Sequence, residues 1–115
     1  MTMHHGSRKS TLEFYPGICF SSSESAAEAY GDNLHTVSID LSKLTVMRVE
    51  MDADEMRDAI DNQEWPCDRN SEIESAISAG YDAVEYTDCD ERGQTHDCLR
   101  ILTAAAFAAA VSPAQ

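Results

Sequence analysis

The chain has 115 residues, of which 8 are basic and 21 acidic, so its formal net charge is −13. This acidity argues against direct nucleic-acid binding, because phosphate contacts need lysine and arginine. No stretch approaches the roughly 18 apolar residues of a membrane-spanning helix, so we expect no membrane association. Hydrophobic residues make up 43% of the chain, enough for one packed core in a single domain over residues 1–115.

Short apolar or alternating runs predict several strands. Turn-forming residues at 90–93 indicate that the last two of them form a hairpin. The predicted strands are Thr2 to His5, Ile18 to Ser21, His35 to Ile39, Leu44 to Val49, Ala83 to Tyr86 and Cys98 to Leu102.

Helix signals lie between these strands. Ser23 or a neighbouring serine can cap the first helix, and a second serine, Ser71, opens a capping-box pattern before the third. The alanine-rich segment Thr103 to Val111 forms either a terminal helix or a frayed end. The pattern predicts an α+β fold with a compact mixed or antiparallel β core and about three short helices. The predicted helices cover Glu24 to Tyr30, Asp52 to about Gln63 and Ser71 to Gly80.

The four cysteines, Cys19, Cys67, Cys89 and Cys98, form no CxxC pair and have no zinc-like spacing with the histidines. We therefore expect reduced thiols, as in a cytoplasm, and no metal site.

Two segments near the chain ends carry groups that suit a ligand. His5, Gly6 and Ser7 end the first strand, where the imidazole can bond a ligand hydroxyl and the glycine lets a ligand approach the backbone. Asp97 stands before the last apolar strand, where a carboxylate can act as a base or stabilise positive charge. The simpler alternatives are a loose amino terminus and a solvated acid.

A third segment joins the second strand to the first helix. After Phe20, a run of serines beginning at Ser21 offers hydroxyls, and Tyr30 offers a flat ring that can stack on a heterocycle. The alternative is that the serines only cap the helix and that the tyrosine packs in the core.

In this order the segments resemble the ADP-ribosyltransferase superfamily, in particular its histidine-tyrosine-glutamate branch, which includes the diphtheria-toxin-like and poly-ADP-ribose polymerase catalytic domains. The resemblance implies an ADP-ribosyltransferase-like fold that uses NAD. The matching motifs are His5-Gly6-Ser7, Gly17-Ile18-Cys19-Phe20 followed ten residues later by Tyr30, and Gly80-Tyr81-Asp82-Ala83-Val84. By the same resemblance, the residues implied to bind NAD are His5, Gly6, Ser7, Phe20, Ser21 and Tyr30.

Two positions depart from that family. Cys19 replaces a tyrosine that stacks on nicotinamide, and Asp97 replaces the catalytic glutamate. A displacement of an ångström can cost about a hundredfold in rate. Gly80-Tyr81, Val84-Glu85 and Asp90-Glu91-Arg92-Gly93 also resemble motifs of the small ADP-ribosylating anti-CRISPR proteins of phages. This second resemblance implies that the working acid can lie in the preceding turn. The candidate catalytic acids are therefore Asp97, Asp88 and Asp90.

The resemblance implies an NAD-dependent mono-ADP-ribosyltransferase that modifies a protein, such as a phage-encoded anti-CRISPR or effector acting on a nucleic-acid-binding host protein in a bacterial cytoplasm. Two alternatives remain open. The charge of −13 is also typical of an acidic decoy that blocks a basic nucleic-acid-binding surface without catalysis. An NAD glycohydrolase toxin would use the same residues without a protein target.

Overall fold

The computed structural model describes residues 1–62, 64–89 and 95–114. The first six strands and the helices between them follow the predicted order along the chain, whereas the short strand at Val111–Pro113 was not predicted. The strands are β1 (Thr2–Ser7), β2 (Ile18–Ser21), β3 (Asn33–Ile39), β4 (Val46–Arg48), β5 (Ala83–Cys89), β6 (Thr95–Ile101) and β7 (Val111–Pro113). The helices are α1 (Glu24–Glu28), α2 (Ala53–Asn62), α3 (Asn70–Ser78) and α4 (Ala104–Ala110), with a short 3-10 helix at Leu41–Lys43.

All these strands belong to one seven-stranded sheet in the order β4-β5-β6-β2-β1-β3-β7. Only the edge pair β4 and β5 is parallel, and the chain crosses between them through α2 and α3. The remaining neighbours are antiparallel, including the expected hairpin of β5 and β6. The prediction of a mixed sheet with helices is therefore confirmed at this coarse level.

The helices differ from the prediction in number and in one starting point. The described part of the chain contains four α-helices rather than about three, because the alanine-rich segment forms α4. The predicted cap at Ser71 is wrong, since α3 already begins at Asn70. The Asp68 side chain accepts a hydrogen bond from the Trp65 backbone N–H at 2.6 Å. This turn leads the chain into the helix before the predicted starting point at Ser71. In the same described residues, every helix is too short or too polar to cross a membrane.

Two predicted helix ends have the expected local chemistry. The Ser23 hydroxyl accepts a hydrogen bond from the Ala26 N–H at 3.2 Å and caps α1. Gly80 ends α3 with a φ of +96°, in the left-handed region that favours glycine. The start of α1 and the end of α3 are thus specified by residues of their own segments.

The sheet has an apolar cluster on each face, and both clusters contain residues of β5 and β6. Burial of such side chains stabilises the fold by about 1.5–3 kcal/mol each. The cluster beside α4 includes Met3, Ile18, Phe20, Val37, Ile39, Leu99 and Ile101. The cluster beside α3 includes Cys67, Ile73, Ala76, Val84, Tyr86, Cys98 and Leu102.

Helix α1 lies unusually close to the end of β1. A Cβ atom at Gly6 would stand 1.7 Å from the carbonyl oxygen of Ala27, and one at Gly31 would stand 2.3 Å from the carbonyl carbon of Ser7. The absence of a side chain at Gly6 thus permits the close approach of the α1 backbone. This contact sets Tyr30, just beyond the helix, beside the end of β1.

We predict that Gly6→Ala destabilises the protein by about 3 kcal/mol or more, because α1 must move away from β1. Gly80→Ala is the matched control. A Cβ atom there meets no atom within 4 Å, so only the backbone strain, about 1 kcal/mol, should remain. Urea unfolding of the two variants measures the difference, and equal losses would contradict the steric explanation.

Candidate functional site

A cleft of about 980 Å³ opens on the sheet face that carries the α3 cluster. Small-molecule and cofactor sites typically have volumes of about 300–1,000 Å³. The lining combines the end of β1, the β2–α1 connection, the β5–β6 hairpin and the region around α2. Its polar and aromatic members include His5, Ser7, Arg8, Ser21, Tyr30, Trp65, Asp88, His96 and Arg100.

Most of the site residues proposed from sequence lie in this one cleft. Those that line it are His5, Gly6, Ser7, Ser21, Tyr30 and Asp88. Phe20 and Asp97 are not among the lining residues. Asp90 lies outside the described residues.

His5 is buried, and its hydrogen bond determines which ring nitrogen carries the proton. Nδ1 lies 2.8 Å from the carbonyl oxygen of Cys19. Because a carbonyl only accepts, Nδ1 is the donor, and in the neutral ring Nε2 is left as an acceptor. Burial lowers the pKa of His5 and outweighs the hydrogen bond to Cys19, which raises it, while nearby His35 lowers it further. His5 is therefore a neutral imidazole that can accept a hydrogen bond from a ligand.

Phe20 supports this imidazole from the core. Its ring is fully buried, and its centroid lies 5.6 Å from that of His5. Phe20 thus orients His5 and has no exposed surface to offer a ligand.

The serine run builds the β2–α1 connection. Ser21 Oγ accepts a hydrogen bond from the Ser23 N–H at 3.0 Å, and Ser22 Oγ accepts one from the Asp97 N–H at 2.9 Å. Ser23 caps α1, as the simpler alternative anticipated. The Ser21 hydroxyl lines the cleft and keeps its proton available for donation.

Two parts of the lining are aromatic. Tyr30 is 73% exposed, so its ring is open to stacking. Trp65 lies against Tyr86, with centroids 6.0 Å apart and the planes inclined by 19°. Sequence reasoning did not assign Trp65 to the site, because its loop meets the sheet only after folding.

The β5–β6 hairpin places Asp88 opposite His96 in the strand register. Asp88 Oδ2 lies 3.5 Å from His96 Nε2 and 3.9 Å from Cys98 Sγ. Sequence reasoning missed both His96 and Cys98. The signal that could have found them is strand alternation, since His96, Cys98 and Arg100 stand at every second position and share one face.

Asp97 lies between these positions and points to the other side of the sheet. Its neighbours on that side, Leu99 and Ile101, belong to the α4 cluster. The Asp97 carbonyl accepts a hydrogen bond from the Ser22 N–H, and the Asp97 N–H donates one to the Ser22 hydroxyl. The strand thus turns its side chain away from the cleft.

Arg100 connects several parts of the cleft wall. Its guanidinium donates to the Tyr86 hydroxyl at 3.2 Å and to the carbonyl of Gly17 at 3.1 Å, and it forms an ion pair with Asp68. The side chains of Arg100 and Asp68 are 15% and 28% exposed. The guanidinium therefore joins β6 to β5, to the start of β2 and to the loop before α3.

Cys19 lies beside this guanidinium. The nearby Cys98 thiol, the charge of Arg100 and the Tyr86 hydroxyl at 3.8 Å lower the pKa of Cys19 to about 7, although burial raises it. The proximity of Cys19, together with burial, raises the pKa of Cys98, whose thiol is directed towards Asp88 Oδ2 at 3.9 Å. Cys19 therefore contributes a polarisable sulfur where the resemblance led us to look for an aromatic ring.

In this cleft His5 can accept a hydrogen bond from a hydroxyl, Tyr30 can stack on a heterocycle, and Asp88 can stabilise a positive charge. No protein-family model, curated protein or solved structure matches this chain. Its function must therefore be inferred from the residues of the cleft.

We predict that His5 stays neutral below its ordinary pKa of 6.5. Because the unfolded chain then binds a proton that folded His5 does not, stability should be lost as the pH falls from about 6.5 towards the folded pKa. NMR titration of the His5 ring measures the shift. His5→Gln should flatten the pH dependence of unfolding over this window, and a ring that titrates above 6.5 would refute the prediction.

We predict that Arg100→Met costs about 2–4 kcal/mol, because it leaves Asp68 and two hydrogen-bond acceptors without their shared donor. Arg48→Met is the matched control. The Arg48–Glu85 ion pair is more exposed, with Arg48 at 44%, so its loss should cost at most about 1 kcal/mol. Chemical denaturation checks both values, and similar costs would show that the Arg100 contacts do not stabilise the wall.

Proposed function

We propose that this protein is an NAD-dependent mono-ADP-ribosyltransferase that modifies a protein target. The main support is that one cleft holds His5, Tyr30 and Asp88, from separate segments that follow the order of the superfamily motifs. The imidazole of His5 as a neutral hydrogen-bond acceptor, the exposed ring of Tyr30 and the largely buried carboxylate of Asp88 are groups that suit this chemistry.

The residues of the cleft fit NAD. The volume of about 980 Å³ is at the upper end of the usual range and suits a dinucleotide. Nε2 of His5 would accept a hydrogen bond from a ribose hydroxyl. Arg8 follows directly after the motif and lines the same cleft, so its charge would attract the pyrophosphate. Tyr30 would stack on the nicotinamide ring.

When bound, NAD would supply an ADP-ribosyl group, with neutral nicotinamide as the leaving group and the proton of the target nucleophile released to solvent. The chain would contribute the charge that favours this exchange. Asp88 would accept a hydrogen bond from a ribose hydroxyl and stabilise the positive charge that develops on the sugar. Its side chain is 16% exposed, and a carboxylate held away from water acts more strongly on such a charge. His96, 3.5 Å away, would orient it.

Asp88 is the preferred acid because of its position on the hairpin. It lines the cleft, whereas Asp97 lies on the other face of the sheet. The two acids therefore form a matched pair, with the same side chain on facing strands of one hairpin and different access to the cleft.

We predict that labelled NAD transfers its ADP-ribosyl group to a protein in bacterial extract. Asp88→Asn should lower the rate at least about a hundredfold, because an amide cannot stabilise the developing charge. Asp97→Asn should stay within a few fold of the wild type. Labelled protein bands on a gel, followed over time, measure both rates.

Binding can be measured separately from transfer. The chain has one tryptophan, and Trp65 lines the cleft, so its fluorescence should change as NAD binds. His5→Gln should weaken this binding. Absence of both binding and labelling in the wild type would refute the proposal, as would equal loss in Asp88→Asn and Asp97→Asn. Free ADP-ribose without labelled protein would identify an NAD glycohydrolase instead.

A further inference from the structure

Asp88, His96 and Cys98 bring three different ligand atoms together at the cleft wall. A carboxylate oxygen, an imidazole nitrogen and a sulfur all lie within 4.8 Å of one another. The oxygen is 3.5 Å from the nitrogen and 3.9 Å from the sulfur. The cluster lies on paired strands, so the backbone already holds its members in register.

The oxygen–nitrogen and oxygen–sulfur separations are close to those of a tetrahedral metal site. Bonds of about 2.0–2.3 Å from zinc to oxygen, nitrogen and sulfur place neighbouring ligand atoms about 3.3–3.7 Å apart. Small side-chain rotations at Asp88, His96 and Cys98 would close the remaining difference. A mixed set with nitrogen and thiolate sulfur suits zinc or a similar transition metal, whereas calcium and magnesium prefer oxygen alone.

We propose that Asp88, His96 and Cys98 form a binding site for one divalent transition-metal ion of the zinc type. All three residues line the cleft, so the fourth coordination position faces the cleft and is open to water or a small ligand. Three protein ligands with one open position are typical of exchangeable or catalytic zinc sites. This inference goes beyond the proposed function and does not depend on it.

The charges of the cluster balance a divalent ion. The Asp88 carboxylate and the Cys98 thiolate together carry two negative charges, and neutral His96 adds none. The thiol proton of Cys98 is released to solvent as the metal–sulfur bond forms. The His96 side chain is 9% exposed and Cys98 is 3% exposed. Little water would therefore reach the ion from the protein side of the site.

A bound ion would affect a transferase directly. It would hold the carboxylate of Asp88 that the proposed reaction needs. Metal binding and transfer should therefore exclude each other in the same molecule.

The test uses the full chain, freed of metal by a chelator. Titration with zinc against a competing chelator should give one ion per chain, and cobalt should give visible d–d bands with a thiolate-to-metal charge-transfer band. Asp88→Asn, His96→Gln and Cys98→Ser should each lower zinc affinity at least about a hundredfold, since loss of an outer-shell partner alone costs 10–100-fold. Circular dichroism of each variant checks that it is folded.

Two matched controls carry the same substitutions elsewhere. His4→Gln changes another histidine of the cleft, and Cys67→Ser changes another buried cysteine. Both should keep the wild-type zinc affinity and the cobalt spectrum. The proposal is overturned if the wild type binds no stoichiometric ion, if folded Cys98→Ser keeps the thiolate band, or if the controls lose affinity as the cluster variants do.

Discussion

The antiparallel pairing of β5 with β6 decides which side chains reach the cleft. Successive side chains of a strand point to opposite faces, so His96 and Cys98 face the cleft while Leu99 and Ile101 enter the core behind it. A shift of the register by one residue would exchange these two sets. Because that shift would bury polar groups and expose the core, apolar packing on the far side holds the polar groups of the cleft in position.

The opposite wall depends on a close backbone approach. Helix α1 has only five residues, too few to be stable by itself. Contact with β1 through Gly6, the cap at Ser23 and the paired strands around it hold the helix in place. Arg100 supports the cleft between these walls, where its partners offset the cost of placing a charge away from water.

The two proposed activities share one carboxylate. Asp88 is largely removed from water, and this strengthens its attraction for any positive charge, whether a metal ion or a sugar that loses its leaving group. In the two proposals His96 would serve Asp88 as an orienting partner or as a fellow ligand. One carboxylate would then serve two kinds of ligand, and binding of one would exclude the other.

The sequence alone determined the order of the first six strands and of the helices between them, the serine cap of α1 and the glycine stop of α3, because these depend on periodicity and on contacts between near neighbours. It also indicated His5 and Tyr30 through short motifs. Only the tertiary structure separated Asp88 from Asp97 and brought His96 and Cys98 beside Asp88. Spacing rules for metal ligands search along the chain, whereas these ligands meet across a hairpin. Which side chains share a face depends on register and on the packing behind the sheet, and neither can be read from one segment.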